Sequence, residues 1–260
     1  GDYLVTSIDA KLQAVVEQQL IDAVRRAQSE GYGGKSGAAV VVDVKTGRVL
    51  AMASYPTYDP SIWIGGVSKK QYKDLIDSKA LSSNAYQGEF APGSTYKVVS
   101  TAAAGKDGFN LYGQYNCPAS LKIGPQTFRN FESSAHGVIT LQRAIEVSCN
   151  TVFYEIARRM WQQEGGPDAG TDAPDPIAEA ASTFGLGSAT GIDLPGEADG
   201  NVSSREFKMA PNPARLSVDS SERVNCISDV AMPISQVSTA FCSVTVAGGI
   251  EVPMPSPRMT

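Results

Sequence analysis

Phe90-Ala91-Pro92-Gly93-Ser94-Thr95-Tyr96-Lys97 runs directly into Val98-Val99-Ser100-Thr101-Ala102-Ala103-Ala104. Proline and glycine close the preceding loop, and the apolar run behind them predicts a buried helix ending at Gly105. Ser94 then stands at the helix start, with Lys97 three residues on. Residues three apart share a helix face, and side chains lean toward the N-terminus, so Lys97 leans back over Ser94. A serine hydroxyl is a weak nucleophile until a base takes its proton. A lysine held away from water has its pKa lowered toward the range where it can be that base. Free N–H groups at the helix start favour developing negative charge, and the N–H of Ser94 is a natural oxyanion donor. A solvated helix face accounts for most Ser-x-x-Lys pairs. The apolar helix behind this one argues for a lysine pointing into a core or cleft.

The second informative stretch is Ser148-Cys149-Asn150, which interrupts an otherwise helical pattern from Thr140 to about Met160. A polar turn inside an apolar helix is costly unless its groups are used. Taken alone it reads as a helix cap. Taken with Ser94 and Lys97, upstream in the chain, it becomes far more specific.

Outward from these two sites the chain reads as α+β. Asp9 to about Glu30 carries apolar residues at helical spacing and stops at Gly31. Ala38–Asp43 and Arg48–Ala53 are β-rich runs joined by a glycine-containing turn, which predicts a hairpin. Tyr55 to Gly66 reads as an ordered loop in which Tyr58 and Trp63 pack. Ser68–Ile76 and Ile177–Phe184 read as short helices, Gly165–Asp175 as a flexible excursion, and Gly191–Glu197 as a turn-rich loop in which Glu197 serves the turn. Pro211–Asn225 has little periodicity, while Ile234–Val246 is helix-like.

The bulk numbers exclude several function classes. With 22 basic and 27 acidic residues the formal charge is −5, and no basic stripe suggests nucleic acid. No apolar run is long enough to cross a membrane, and the first residues are no signal peptide, so any export signal or anchor is expected upstream. The four cysteines (Cys117, Cys149, Cys226, Cys242) have no Cys-x-x-Cys spacing, and His136 is the only histidine, so neither a metal nor a cofactor is expected. Export would permit disulfides, which the spacing does not pair; most of the cysteines are expected to be free, small and buried. His136 lies in Ser133-Ser134-Ala135-His136-Gly137, and a surface loop is favoured over a Ser-His-Asp triad.

These motifs, in this order, resemble the signature of the serine acyltransferases that include penicillin-binding proteins and β-lactamases: SxxK, SxN and KTG. The resemblance extends through Ala38–Ser54, Tyr55–Pro60, Phe90–Lys97, Ala144–Phe153 and Gly191–Glu197. It is nearest to the transpeptidase domain of class B penicillin-binding proteins of the elongation (cell-shape) type, in its actinobacterial form. It is clear over about residues 1–205 and faint over 227–250. The resemblance implies an antiparallel sheet flanked by helices plus a mostly helical lobe. Residues 1–105 would hold the first helix, hairpin and SxxK helix, 106–205 the helical lobe with SxN, and 206–260 a divergent or truncated part that leaves the sheet incomplete.

The implied activity is D,D-transpeptidation of peptidoglycan stem peptides. Ser94 would attack the penultimate D-alanine carbonyl, Lys97 would accept its proton, Ser148 would relay a proton to the leaving D-alanine, and Asn150 would bind the substrate. The implied partners are stem peptides ending in D-Ala-D-Ala, β-lactams and cell-wall elongation proteins, at the extracytoplasmic face of the plasma membrane. Lys45-Thr46-Gly47 spells the third motif but precedes Ser94, and polar-Gly is what a hairpin turn needs. No such triplet follows Asn150. Two other readings stay open: a β-lactamase or β-lactam sensor, and a non-catalytic truncated interaction module. No Glu-x-x-Leu-Asn follows Asn150, and Cys149 stands where a β-lactamase would have aspartate; both disfavour hydrolysis.

Overall fold

The computed structural model describes residues 3–205 and a two-residue strand, Ala240–Phe241. These divide into two compact units, residues 3–90 with 240–241, and residues 91–205.

The first unit lays one helix on a small sheet. Helix α1, Ala10–Ser29, starts where the Asp9 carboxylate accepts from the N–H groups of Lys11 and Leu12, satisfying two donors that a helix start leaves open. Its buried Leu20 and Val24, with Val16, pack on Ala39, Ala53 and Tyr55 of the strands. Strands β1, Gly37–Val42, and β2, Val49–Tyr55, pair antiparallel with Ala39 opposite Ala53. Their turn is held by the Asp43 carboxylate, which accepts from the Lys45 N–H and the Thr46 hydroxyl, while Gly47 takes a φ of 73°. Lys45-Thr46-Gly47 is therefore turn chemistry, as expected. Helix α2, Lys69–Asp77, opens with a capping box between Ser68 and Gln71. Trp63 meets Tyr58 edge to face with ring centroids 6.3 Å apart.

The outer edge of β2 is closed by the chain that enters α1. Gln13 donates to the Met52 carbonyl at 2.8 Å and accepts from the Met52 N–H at 2.7 Å, as a neighbouring strand residue would. The Asp9 N–H and the Ser7 hydroxyl donate to the carbonyls of Leu50 and Val49. On the other side, Ala240–Phe241 (β7) pairs parallel with Gly37–Ala38. The helix expected over Ile234–Val246 is thus extended at these two residues. A short apolar run does not distinguish a buried strand from a helix by periodicity. The rest of that stretch, the expected divergence after residue 205, and Cys226 and Cys242 lie outside the described residues.

The second unit is built around one helix. Helix α3 is Lys97–Lys106, α4 is Leu141–Glu146, α5 is Asn150–Gln163 and α6 is Pro176–Thr183. The first two turns of α5 are buried nearly all round: Asn150 through Tyr154, Ile156 and Ala157 are all inside. These turns must be central, since they offer little to water, while Arg159, Gln162 and Gln163 of the later turns are exposed. Alanines at 103 and 104 of α3 and at 180 and 181 of α6 are fully buried in the same core, and small side chains let these helices pack closely. Four short strands lie among these helices. Strands β3 (Gln114–Cys117) and β6 (Gly137–Thr140) form one antiparallel ladder, and β4 (Ser120–Ile123) and β5 (Gln126–Arg129) form another. Each strand has four residues, too short for a clear period of two. Phe128 of β5 stacks on Tyr154 of α5 at 4.6 Å. Glu197 accepts from the Thr190 N–H and so serves its turn.

The bond pair between Gln13 and Met52 should matter for the first unit. Gln13→Ala is expected to cost about 1–2 kcal/mol, by leaving the Met52 N–H and carbonyl without their partner. Amide exchange read by mass spectrometry should speed up at Met52.

Candidate active site

Ser94 lies in a 3₁₀ turn, Gly93–Tyr96, that feeds into α3. The expected single helix is therefore tighter at its start. In a 3₁₀ turn residues i and i+3 eclipse, so Lys97 stands directly over Ser94. Gly93 makes this entry with a φ of 57°, a left-handed conformation that costs glycine little. Ser94 stays half-buried, whereas Lys97 is only 1% exposed.

Four oxygens surround the Lys97 amine. Nζ lies 3.2 Å from Ser94 Oγ, 2.8 Å from Ser148 Oγ, 2.8 Å from the Ser148 carbonyl and 2.7 Å from Asn150 Oδ1. Ser148 Oγ is 2.9 Å from Ser94 Oγ, closing a triangle of two hydroxyls and an amine. The ring of Phe153 lies 5.6 Å from Nζ and offers its face to a cation. The helix break predicted at Ser148-Cys149-Asn150 is present between α4 and α5. Ser148 itself has a φ of 54°, rare for a residue with a side chain. That conformation turns both its carbonyl and its hydroxyl toward Lys97.

The donor and acceptor types assign the protons. The Ser148 carbonyl and Asn150 Oδ1 can only accept. Asn150 is oriented this way round because its Nδ2 donates to the Arg129 carbonyl at 3.2 Å. A neutral amine has two protons and one lone pair. In the neutral form the two acceptors take the protons, which leaves the lone pair to accept a proton from one of the two hydroxyls. Burial lowers the Lys97 pKa from 10.5 to about 8, which makes the neutral amine accessible near neutrality.

Sequence reasoning found Ser94, Lys97, Ser148 and Asn150, and the structure brings all four together. Asn150 differs in one respect: it is 2% exposed, with both ends of its amide engaged within the protein. Its position lets it orient Lys97. His136 is exposed, and its backbone N–H donates to the Cys117 carbonyl. The hydrogen bonds of Ser94 Oγ run to Lys97 and Ser148, with no histidine involved. Among the described residues no cluster of His, Cys, Asp and Glu could hold a metal.

The cysteine expectation needs correction. Cys117 and Cys149 are joined by a disulfide. The fold brings β3 against the start of α5, a proximity that a separation of 32 residues does not announce. Asn130 was also missed. It holds this region together through contacts that carry no local sequence signal.

The profile of the penicillin binding protein transpeptidase domain matches residues 37–236. This chain belongs to that family. Peptidoglycan D,D-transpeptidase MrdA of Acinetobacter baumannii is 31% identical over 222 residues, covering 80% of this chain and 28% of the relative. Pseudomonas aeruginosa PBP2, solved in complex with WCK 5153, aligns with a TM-score of 0.58 at 30% identity, over 79% of this chain and 42% of that one. Penicillin-binding protein A of M. tuberculosis, solved as a ceftriaxone acyl-enzyme complex, aligns with a TM-score of 0.54 at 26% identity, over 70% and 39%. The chain therefore spans less than a third of the length of the curated MrdA relative. The α+β transpeptidase fold expected from the motifs is the fold of these neighbours.

The lowered pKa of Lys97 has a signature in stability. The unfolded chain keeps its lysine proton up to a higher pH than the native one, so below pH 8 the native state carries a penalty. Stability relative to Lys97→Met should rise between about pH 8 and pH 10.5 and be flat on either side. The full change is at most about 3 kcal/mol, and urea unfolding across that range measures it.

Proposed function

We propose that this chain carries the acyl-transfer centre of a peptidoglycan D,D-transpeptidase. The observation that supports this best is the buried Lys97 amine, held by two acceptor-only oxygens within hydrogen-bond distance of both the Ser94 and Ser148 hydroxyls. Lys97 accepts the Ser94 proton as Oγ attacks the penultimate D-alanine carbonyl of a stem peptide. The Ser94 N–H faces the developing oxyanion as one donor. Ser148, within hydrogen-bond distance of both Ser94 and Lys97, passes a proton to the departing D-alanine. An amine from a neighbouring stem then resolves the acyl-enzyme and forms the crosslink. β-Lactams present the same carbonyl and remain on Ser94.

The Lys-Thr-Gly type of motif does not follow Asn150 in these 260 residues. The disulfide supports an oxidising, extracytoplasmic location, since such bonds persist outside the reducing cytosol. The elongation-type resemblance supports cell-wall elongation proteins as partners of the whole protein.

A fluorescent penicillin followed by intact-mass measurement tests the reading. A stable adduct on Ser94 is expected, absent in Ser94→Ala. Rapid turnover of the adduct would point to a hydrolase, and no labelling of a folded sample would point to a non-catalytic module. The labelling rate should rise about tenfold per pH unit below about pH 8 and level off above it, as deprotonation of Lys97 completes. Ser148→Ala should slow labelling by about 100-fold or more.

A further inference from the structure

The turn that carries Ser148 and Asn150 is fastened from behind. Cys149 stands at the N-cap of α5 but makes no side-chain cap bond, because its sulfur is bonded to Cys117 on β3. The cap comes from elsewhere in the sequence. Asn130, 7% exposed at the end of β5, accepts from the Thr151 N–H at 3.0 Å. Its Nδ2 donates to the carbonyls of Pro118 at 2.9 Å and Ser134 at 2.7 Å. Thr151 Oγ1 donates to the same Pro118 carbonyl at 2.9 Å. The preceding residue, Arg129, supplies the carbonyl that orients Asn150. A disulfide, a borrowed cap and a hydroxyl bond thus pin residues 149–151 to the segments around Cys117–Pro118 and Arg129–Asn130. None of these fastenings includes Ser94 or Lys97.

Ser148 needs such support. A non-glycine residue in the left-handed region is strained and persists only where its surroundings over-determine it. Released, the turn would relax, withdraw the Ser148 carbonyl and Asn150 Oδ1 from Lys97, and admit water in their place.

We propose that Asn130 and the Cys117–Cys149 disulfide are positioning groups of the acyl-transfer centre, holding Ser148 and Asn150 against Lys97, so that reduction disables the proton relay while Ser94 and Lys97 themselves stay chemically unchanged. This rests on the acyl-transfer reading of Ser94, but its test does not require acylation. Reduction by dithiothreitol breaks the S–S bond, leaves one hydrogen on each sulfur, and converts the dithiol into its cyclic disulfide.

The test uses the full chain produced under oxidising conditions. Alkylation of the denatured protein without reductant, followed by peptide mapping, should recover Cys117 and Cys149 as a linked pair; both recovered as free thiols would overturn the proposal. Lysine labelled with carbon-13 at Cε then reports the Lys97 titration by NMR, its signal assigned by its loss in Lys97→Arg. The midpoint should lie near pH 8 in the oxidised protein and rise by about one pH unit or more, toward the ordinary lysine value, after reduction and separately in Asn130→Ala. A midpoint unmoved in both samples while near-UV circular dichroism shows intact packing overturns the proposal. Loss of that packing in both overturns it too, since the anchors would then be general supports of the fold. Penicillin labelling of oxidised protein is scored separately: its absence counts against the acyl-transfer reading, while the Lys97 titration still decides the role of the anchor.

Discussion

A cation without water must be answered by oxygens, and Lys97 sets that condition for the second unit. Removing an ammonium from solvent is costly unless dipoles replace the lost hydration. Here four oxygens do so, from three residues on two separate stretches of chain. The central position of α5, the break before it and the left-handed Ser148 all serve to bring those oxygens in. The compensation is partial. Desolvation still wins over hydrogen bonding, which is why the lysine loses its proton more readily than an exposed one.

That imbalance is the link from packing to chemistry. A fully compensated lysine would keep its proton and could not act as a base. A fully uncompensated one would be too weak a base to be useful. The two acceptor-only oxygens stabilise the amine while claiming its hydrogens, so the remaining lone pair has one direction available. Orientation and basicity thus come from the same contacts, and both depend on groups in the turn before α5 and at its first residue, 51 to 53 residues from Lys97 in sequence.

The legible parts of the molecule are those whose cause is local. Ser94 and Lys97 sit within one turn. The α1 cap and the Lys45-Thr46-Gly47 turn each depend on a few adjacent residues, and glycine or a capping side chain announces them. The break at Ser148-Cys149-Asn150 was readable because polar residues are costly inside an apolar helix. What sequence did not announce was long in reach or short in extent. The four-residue strands β3 to β6 give no usable periodicity. Asn130 looks like any turn asparagine until the fold places Thr151 and Pro118 beside it. Cys149 reads as a small apolar residue because its partner lies on another element. The role of Asn150 toward Lys97, rather than toward solvent or substrate alone, likewise depends on the Arg129 carbonyl.

The closure of β2 by the segment leading into α1 bears on behaviour in concentrated solution. An edge strand with unused N–H and C=O groups is a template for another chain. Along β2 the carbonyls of Val49, Leu50 and Met52 and the N–H of Met52 are already bonded by Ser7, Asp9 and Gln13. A second molecule arriving at that edge finds its pairing sites occupied. The cap that starts a helix and the glutamine one turn later therefore also guard against intermolecular β-pairing, a protection written into the first residues of the helix rather than into the strand it covers.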